Sequence, residues 1–190
     1  MGDLRIVFKG ADTNYKMDLL AWQQNWEFYD FQPKNEMRMY KAWRTRDGET
    51  TIQYMEDYYA CIHYLTIVGK DGDEIAQKIR STFDSYTLDE LLGRAALARD
   101  KRECIGVIIA LAAASPKLFE PEIFSVFERM FSHESPEVRE ATCFATTYRA
   151  WPEFKKPLER LIENDPDLEM REYAQATLRS LMKHCWQEQV

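Results

Sequence analysis

Few side chains in this chain are of types that do chemistry, and they are scattered. Glu56 and Asp57 are adjacent carboxylates, a combination that can serve acid–base catalysis or hold a divalent cation. They fall between two β-prone stretches, where two acids more often mark a solvated turn. Tyr58 and Tyr59 follow directly. Tyrosine offers contact area at low rotamer cost, so Glu56, Asp57, Tyr58 and Tyr59 together read as a protruding contact loop. The competing reading packs one of the tyrosines under the hairpin. The histidines are His63, His133 and His184, and none has a second histidine or cysteine three or four places on. Cys61, Cys104, Cys143 and Cys185 lie far apart, with no Cys-x-x-Cys, so buried free thiols are expected rather than a disulfide framework. A Cys–His nucleophile would need the fold to join distant residues. Walker, Gly-x-Gly-x-x-Gly and Gly-x-Ser-x-Gly motifs are missing. No metal site and no cofactor are expected.

The chain of 190 residues is 45% apolar and 30% charged, which suits a folded, water-exposed body of one large or two small domains. Its net charge of −7 argues against a surface that tracks phosphates, so nucleic acid is not an expected partner. The longest apolar run, Ile105–Ala114, is far short of a membrane span, and no apolar signal core follows the N-terminal Met-Gly-Asp-Leu-Arg. A cytoplasmic protein with no membrane partner is expected.

The elements that must position these groups divide the chain at about residue 85. In the first part, 1–84, Leu4–Phe8 is β-prone and Asp12-Thr13-Asn14 can cap a helix. Leu19, Trp22, Trp26 and Tyr29 follow at steps of three and four and read as one stripe on that helix, either core or a ligand cradle. Pro33 ends the segment, and Lys34–Trp43 reads as a second short helix. Arg46-Asp47-Gly48-Glu49 is a turn, after which the period becomes two. Thr50–Met55 and Ile62–Val68 are read as a β-hairpin over about 50–68. Asp73 caps a helix with Ile75, Ala76 and Ile79 inward. The expectation is an α+β unit ordered β-α-α-β-β-α.

The second part, 87–186, is all helical, starting from a capping box at Thr87 and Glu90. Ser115-Pro116, Ser135-Pro136, Trp151-Pro152 and Asp165-Pro166 punctuate it into three helix pairs, about 87–115, 117–150 and 153–184, with Pro136 and Pro166 placed in first turns. A pattern recurs in the second helix of each pair. Arg102, Arg139 and Arg171, 37 and 32 residues apart, are each followed by small or apolar residues three, six and seven places on. That period marks stacked two-helix repeats. The two parts are expected to pack as one body.

Ser135–Ala141 and Asp165–Leu178 carry a family resemblance: an acidic turn, then an apolar residue and arginine, then Ala and Leu. These pairs resemble HEAT repeats, including the HEAT-like repeats of the phycobilisome lyase type, over about half of the chain. Thr142 and Thr146 depart from the pattern, as does Lys101 in place of an apolar residue. The resemblance implies an α-solenoid of about three helix pairs, with second helices lining a concave face and arginines pairing with acids such as Asp100, Glu134 or Asp165. The function expected is a non-catalytic protein-binding scaffold or adaptor whose acidic balance suits a partner with a basic surface. An inhibitor or immunity partner of a toxin would be a special case. The contact residues would be Glu140, Thr147, Glu172, Gln175 and Arg179, with Trp151 and Trp186 at helix ends and the Glu56–Tyr59 loop as a second site. The alternative, carried by the resemblance alone, is a bilin-lyase-like enzyme acting on a tetrapyrrole, with Trp22, Trp26 and Tyr29 lining the pocket.

Overall fold

The computed structural model describes residues 3–10 and 12–184, within two compact units, Met1–Thr87 and Leu88–Val190. The first unit is an antiparallel sheet with helices on one face. Its elements are β1 (Asp3–Val7), α1 (Thr13–Gln23), β2 (Glu27–Gln32), β3 (Arg38–Arg44), β4 (Thr50–Asp57), β5 (Ile62–Gly69) and α2 (Gly72–Thr82). The strands lie in the order β1-β5-β4-β3-β2. Alternation along each strand decides which side is buried. Thr50, Ile52, Tyr54 and Glu56 of β4 all turn inward, and Ile52 and Tyr54 meet Met39, Trp43, Leu65, Ile67 and Ile6 from neighbouring strands. Met17, Leu20 and Ala21 of α1 and Ile75, Ala76 and Ile79 of α2 complete the same core.

The sheet therefore has five strands where the sequence suggested a hairpin. The helix expected over Lys34–Trp43 is strand β3. Its apolar residues satisfy a period of two as well as one near 3.6, and pairing with β4 from Arg38↔Asp57 to Arg44↔Thr51 selects the strand. The Asn35 side chain starts it by accepting the Met37 and Arg38 amides, each at 2.8 Å. The aromatic stripe does not exist as one helix face either. Helix α1 stops at Gln23, because Asn25 adopts φ 54° and the amides of Asn25 and Trp26 turn back to the carbonyls of Trp22 and Ala21. Trp26 lies beyond the helix, Tyr29 lies in β2, and Leu19 and Trp22 face outward. The expected turn at 46–49 is present. Gly48 takes φ 75°, and Asp47 accepts from the Thr45 hydroxyl at 2.6 Å and the Glu49 amide at 3.0 Å. At Gly69 a Cβ would collide with the Glu49 carbonyl oxygen, so only glycine fits there.

The second unit contains α3 (Leu88–Leu97), α4 (Lys101–Ala114), α5 (Pro121–Phe131), α6 (Pro136–Ala145), a 3-10 turn at Pro152–Phe154, α7 (Lys155–Asn164) and α8 (Leu168–His184). Pro136 opens α6 as expected. Pro166 stands before α8 rather than in it, and Asp167 caps that helix by accepting the Glu169 amide at 2.9 Å. Within the unit α3 packs on α4, α5 on α6 and α7 on α8; α4 also packs on α6, α6 on α8, and α5 on both α3 and α7. Helix α4 is the most enclosed, with every residue from Val107 to Ala113 buried. Phe127, Phe131, Trp151 and Phe154 form an aromatic cluster, with the Phe127 and Phe154 rings 4.7 Å apart.

Of the three recurring arginines, Arg139 is the one the resemblance describes. It grips Asp165 bidentately, Nε to Oδ2 at 2.7 Å and Nη2 to Oδ1 at 2.8 Å, while Nη1 donates to the carbonyls of His133 and Glu134. Both side chains are buried. Arg171 adds a bond from Nε to the Asp165 carbonyl. Arg102 is exposed, and its neighbour Lys101 bridges to Glu137 on α6 at 2.6 Å instead. Burial raises the Asp165 carboxyl, but its bonds to Arg139 and the Asp167 amide, with the nearby guanidinium charges, outweigh this and hold it below its usual value. Removing one partner strands the other charge, so Asp165→Ala is expected to lower stability by about 3–5 kcal/mol, while the double change Arg139→Met with Asp165→Leu loses less than that. Because the folded carboxyl is depressed, its contribution is complete above the unfolded value near pH 3.9 and is lost as pH falls through the folded one. Urea melts of the parent and Asp165→Ala chains should therefore converge as pH is lowered below about 4.

Candidate functional site

The exposed faces of α6 and α8 carry most of the expected contact residues. Glu140, Glu172, Gln175 and Arg179 are exposed, and Arg179 donates to Gln175 at 2.6 Å. Thr147, just past α6, is exposed too and spends its hydroxyl on the Phe144 carbonyl at 2.7 Å. Between the first turns of α6 and α8 runs a groove of about 370 Å³ lined by Pro136, Glu137, Glu140, Asp167, Glu169, Met170 and Tyr173. Four of these seven are carboxylates, and a buried Met170 forms part of the floor. The Lys101 bond, then the Ser135 hydroxyl, hold Glu137 down to about 2. It therefore stays charged across the physiological range with Lys101 as its partner, which leaves Glu140, Asp167 and Glu169 as the groove carboxylates with no cation bound to them among the described residues.

Two expected contacts are not surface groups, or are not in view. Trp151 is buried, 3% exposed, stacked on Phe154 and donating from Nε1 to the Lys117 carbonyl. An indole at a helix end looks like a surface group in sequence, but the Pro152 turn folds it under. Trp186 lies outside the described residues.

The acidic–tyrosine loop is also rebuilt by the structure. Strand β4 continues through Asp57, so alternation carries Glu56 inward, where it is 8% exposed. Its Oε1 accepts from the Tyr54 hydroxyl at 3.1 Å and its Oε2 from Tyr58 at 2.6 Å. Tyr54 in turn meets Thr13 at 2.6 Å, and Thr13 meets His63 Nδ1 at 3.3 Å. With Tyr54 donating to the carboxylate, the proton order must be His63 to Thr13 to Tyr54 to Glu56. Burial, against the Thr13 bond and together with the Glu56 charge, pushes Tyr54 far up; burial and then Glu56 push Tyr58 up to about 12. Both phenols therefore stay protonated near neutrality, and the chain of bonds from Glu56 to Thr13 anchors α1 to the sheet. Asp57 accepts the Ala60 amide at 2.9 Å, Tyr58 packs under the hairpin beneath Lys34, and only Tyr59 is left strongly exposed. Extending the even-numbered alternation Thr50, Ile52, Tyr54 by one step would have placed Glu56. Nothing in the sequence pointed to Thr13 or His63 as its relay.

The thiols can be placed in the same way. Cys104 Sγ lies 4.0 Å from His133 Nε2, but the thiol is buried and burial pushes it up; His133 Nδ1 accepts the Ser135 amide. Burial pushes Cys143 higher still. Cys61, by contrast, is exposed at the hairpin turn with φ 54°. Among the described residues no three of His, Cys, Asp and Glu converge as metal ligands would, and no helix is long and apolar enough to cross a membrane. Mapping alkylation of the native chain at pH 8 by mass spectrometry should find Cys61 modified and Cys104 and Cys143 protected until the chain is unfolded; modification of Cys104 at the Cys61 rate would show an activated thiol.

Compared with protein-family models, with curated proteins and with solved structures, the chain matches none.

Proposed function

We propose that this chain is a non-catalytic adaptor that holds a basic segment of a partner protein against the outer faces of α6 and α8. The observation that carries this reading is the groove lined by Glu137, Glu140, Asp167 and Glu169 together with Met170 and Tyr173, beside exposed Glu172. Four carboxylates with an apolar floor offer a Lys- or Arg-bearing segment both charge and a surface for its aliphatic stems. Side-by-side packing of α4, α6 and α8, with α3, α5 and α7 behind, supports the HEAT-like solenoid reading, and so does the Arg139–Asp165 pin between successive pairs. In such an arrangement the faces of the second helices form a preformed surface that loses little entropy on binding. Inhibition of a basic toxin would be one form of this activity. The free thiols Cys104 and Cys143 suit a cytoplasmic setting.

The tetrapyrrole alternative rests on the resemblance and on Trp22, Trp26 and Tyr29, which lie on a helix, a turn and a strand and so do not form the single helix face that suggested it. Reversing the two exposed charges, Glu140→Lys with Glu172→Lys, is expected to leave the melting curve within about 0.5 kcal/mol of the parent, as at other surface sites. It should weaken capture of a basic partner from host lysate at least tenfold. Unchanged capture by that double variant would remove the groove as the binding face.

A further inference from the structure

On the first unit a second surface has a different character. Tyr15, Leu19 and Trp22 stand at i, i+4 and i+7 of α1, 71%, 41% and 78% exposed, on the side away from the core. Beside them are Phe28 and Phe31 of edge strand β2, 53% and 48% exposed. Their contiguity follows from the local geometry. Phe28 lies 6.1 Å from Trp43 and 6.3 Å from Phe31, which puts both on the helix-bearing side of the sheet. Phe31 pairs across with Lys41, and Lys41 reaches up to Asn14 and Asp18 of α1, both at 2.6 Å. Trp22 is one turn beyond Asp18, and the Asn25 turn leads directly into β2. The two phenylalanines thus run along the flank of α1 that carries Asn14 and Asp18, with Trp22 and Tyr15 above them.

We infer that this α1–β2 face is where a second copy of the chain docks, giving a two-fold symmetric dimer. Taking about 200 Å² for each large side chain, the five residues leave roughly 550 Å² of largely apolar surface in water, at the upper end of the largest patch a typical monomer shows and of a size that is often functional. A standard interface buries about 800 Å² per partner, some three fifths of it apolar, so the patch supplies the apolar share a stable dimer needs. Charge selects the partner. Two chains of net charge −7 repel, and self-association is least opposed where the local charges cancel. Here one pair does so directly: Lys41, on the helix-bearing side of β3, is neutralised by Asp18 of α1 at 2.6 Å. The acidic groove of α6 and α8 has the opposite character and would repel a second copy. The contact is made through faces and not by continuing the sheet, because a bulge interrupts β2 between Phe28 and Asp30 and the Asp30 carboxylate already accepts the Phe31 amide at 2.8 Å.

Sedimentation velocity of the full chain across roughly 1 to 100 μM tests this, a range that brackets micromolar affinity. The expected result is a species of twice the chain mass at the upper concentrations. Trp22→Glu with Phe28→Glu, both at exposed sites, should raise the dissociation constant at least a hundredfold with the circular dichroism spectrum unchanged. Tyr59→Glu, equally exposed but on the β4–β5 hairpin, should leave the dimer intact. A parent chain that stays monomeric throughout, a double variant that stays dimeric, or a Tyr59→Glu chain that dissociates would each overturn the inference. Loss of dimerisation with partner capture retained would separate this face from the α6–α8 groove.

Discussion

The second unit depends on one buried ion pair. Arg139 opens α6 and Asp165 closes α7, so their bidentate contact joins two consecutive helix pairs at the point where each changes direction. Two charges taken out of water need nearly every hydrogen-bonding position filled, and here they are. The guanidinium also serves the carbonyls of His133 and Glu134, and Asp165 also serves the Asp167 amide. The same few atoms therefore tie the α5–α6 turn, the end of α7 and the approach to α8. Glu137 stands two residues before Arg139 and Asp167 two residues after Asp165, so the pin bears on where these two groove carboxylates sit.

The apolar core around the pin fixes the spacing of the layers. Helix α4 is buried along most of its length and is itself built of small and branched residues that allow close approach, while Phe127, Phe131 and Phe154 pack together between α5 and the 3-10 turn. The first unit solves a different problem. A carboxylate lies inside its core, and two tyrosine hydroxyls hold it there. The cost of burying Glu56 is offset by those bonds and by the Thr13–His63 relay, which also sets where α1 begins on the sheet.

Helix punctuation in the second unit was legible because proline and a repeating arginine are local signals; Pro136 acts as such a residue should, whereas Asp100, read as an arginine partner, caps α4 instead. The Arg139–Asp165 pairing was legible only through the repeat. The first unit was harder to read. Met39, Tyr40 and Trp43 fit a helix or a strand equally well in isolation, and only their pairing with β4 decides. The aromatic stripe misled for a similar reason: its residues are spaced like a helix face, yet a single left-handed asparagine ends the helix in the middle of it. For the candidate site, exposed charged positions on α6 and α8 could be read from helical phase. The inward turn of Glu56 depended on one more step of strand alternation, and the fate of Trp151 on a turn whose direction the sequence does not state.

The most direct test of the central claim is native-state hydrogen exchange on the Asp165→Ala chain. If the ion pair is what holds the last helix pair against the one before it, the amides of α7 and α8 should lose protection by several orders of magnitude while the strands of the first unit keep theirs, since local opening follows the contacts that are removed. Equal loss of protection throughout the chain, or unchanged protection in α7 and α8, would contradict the account.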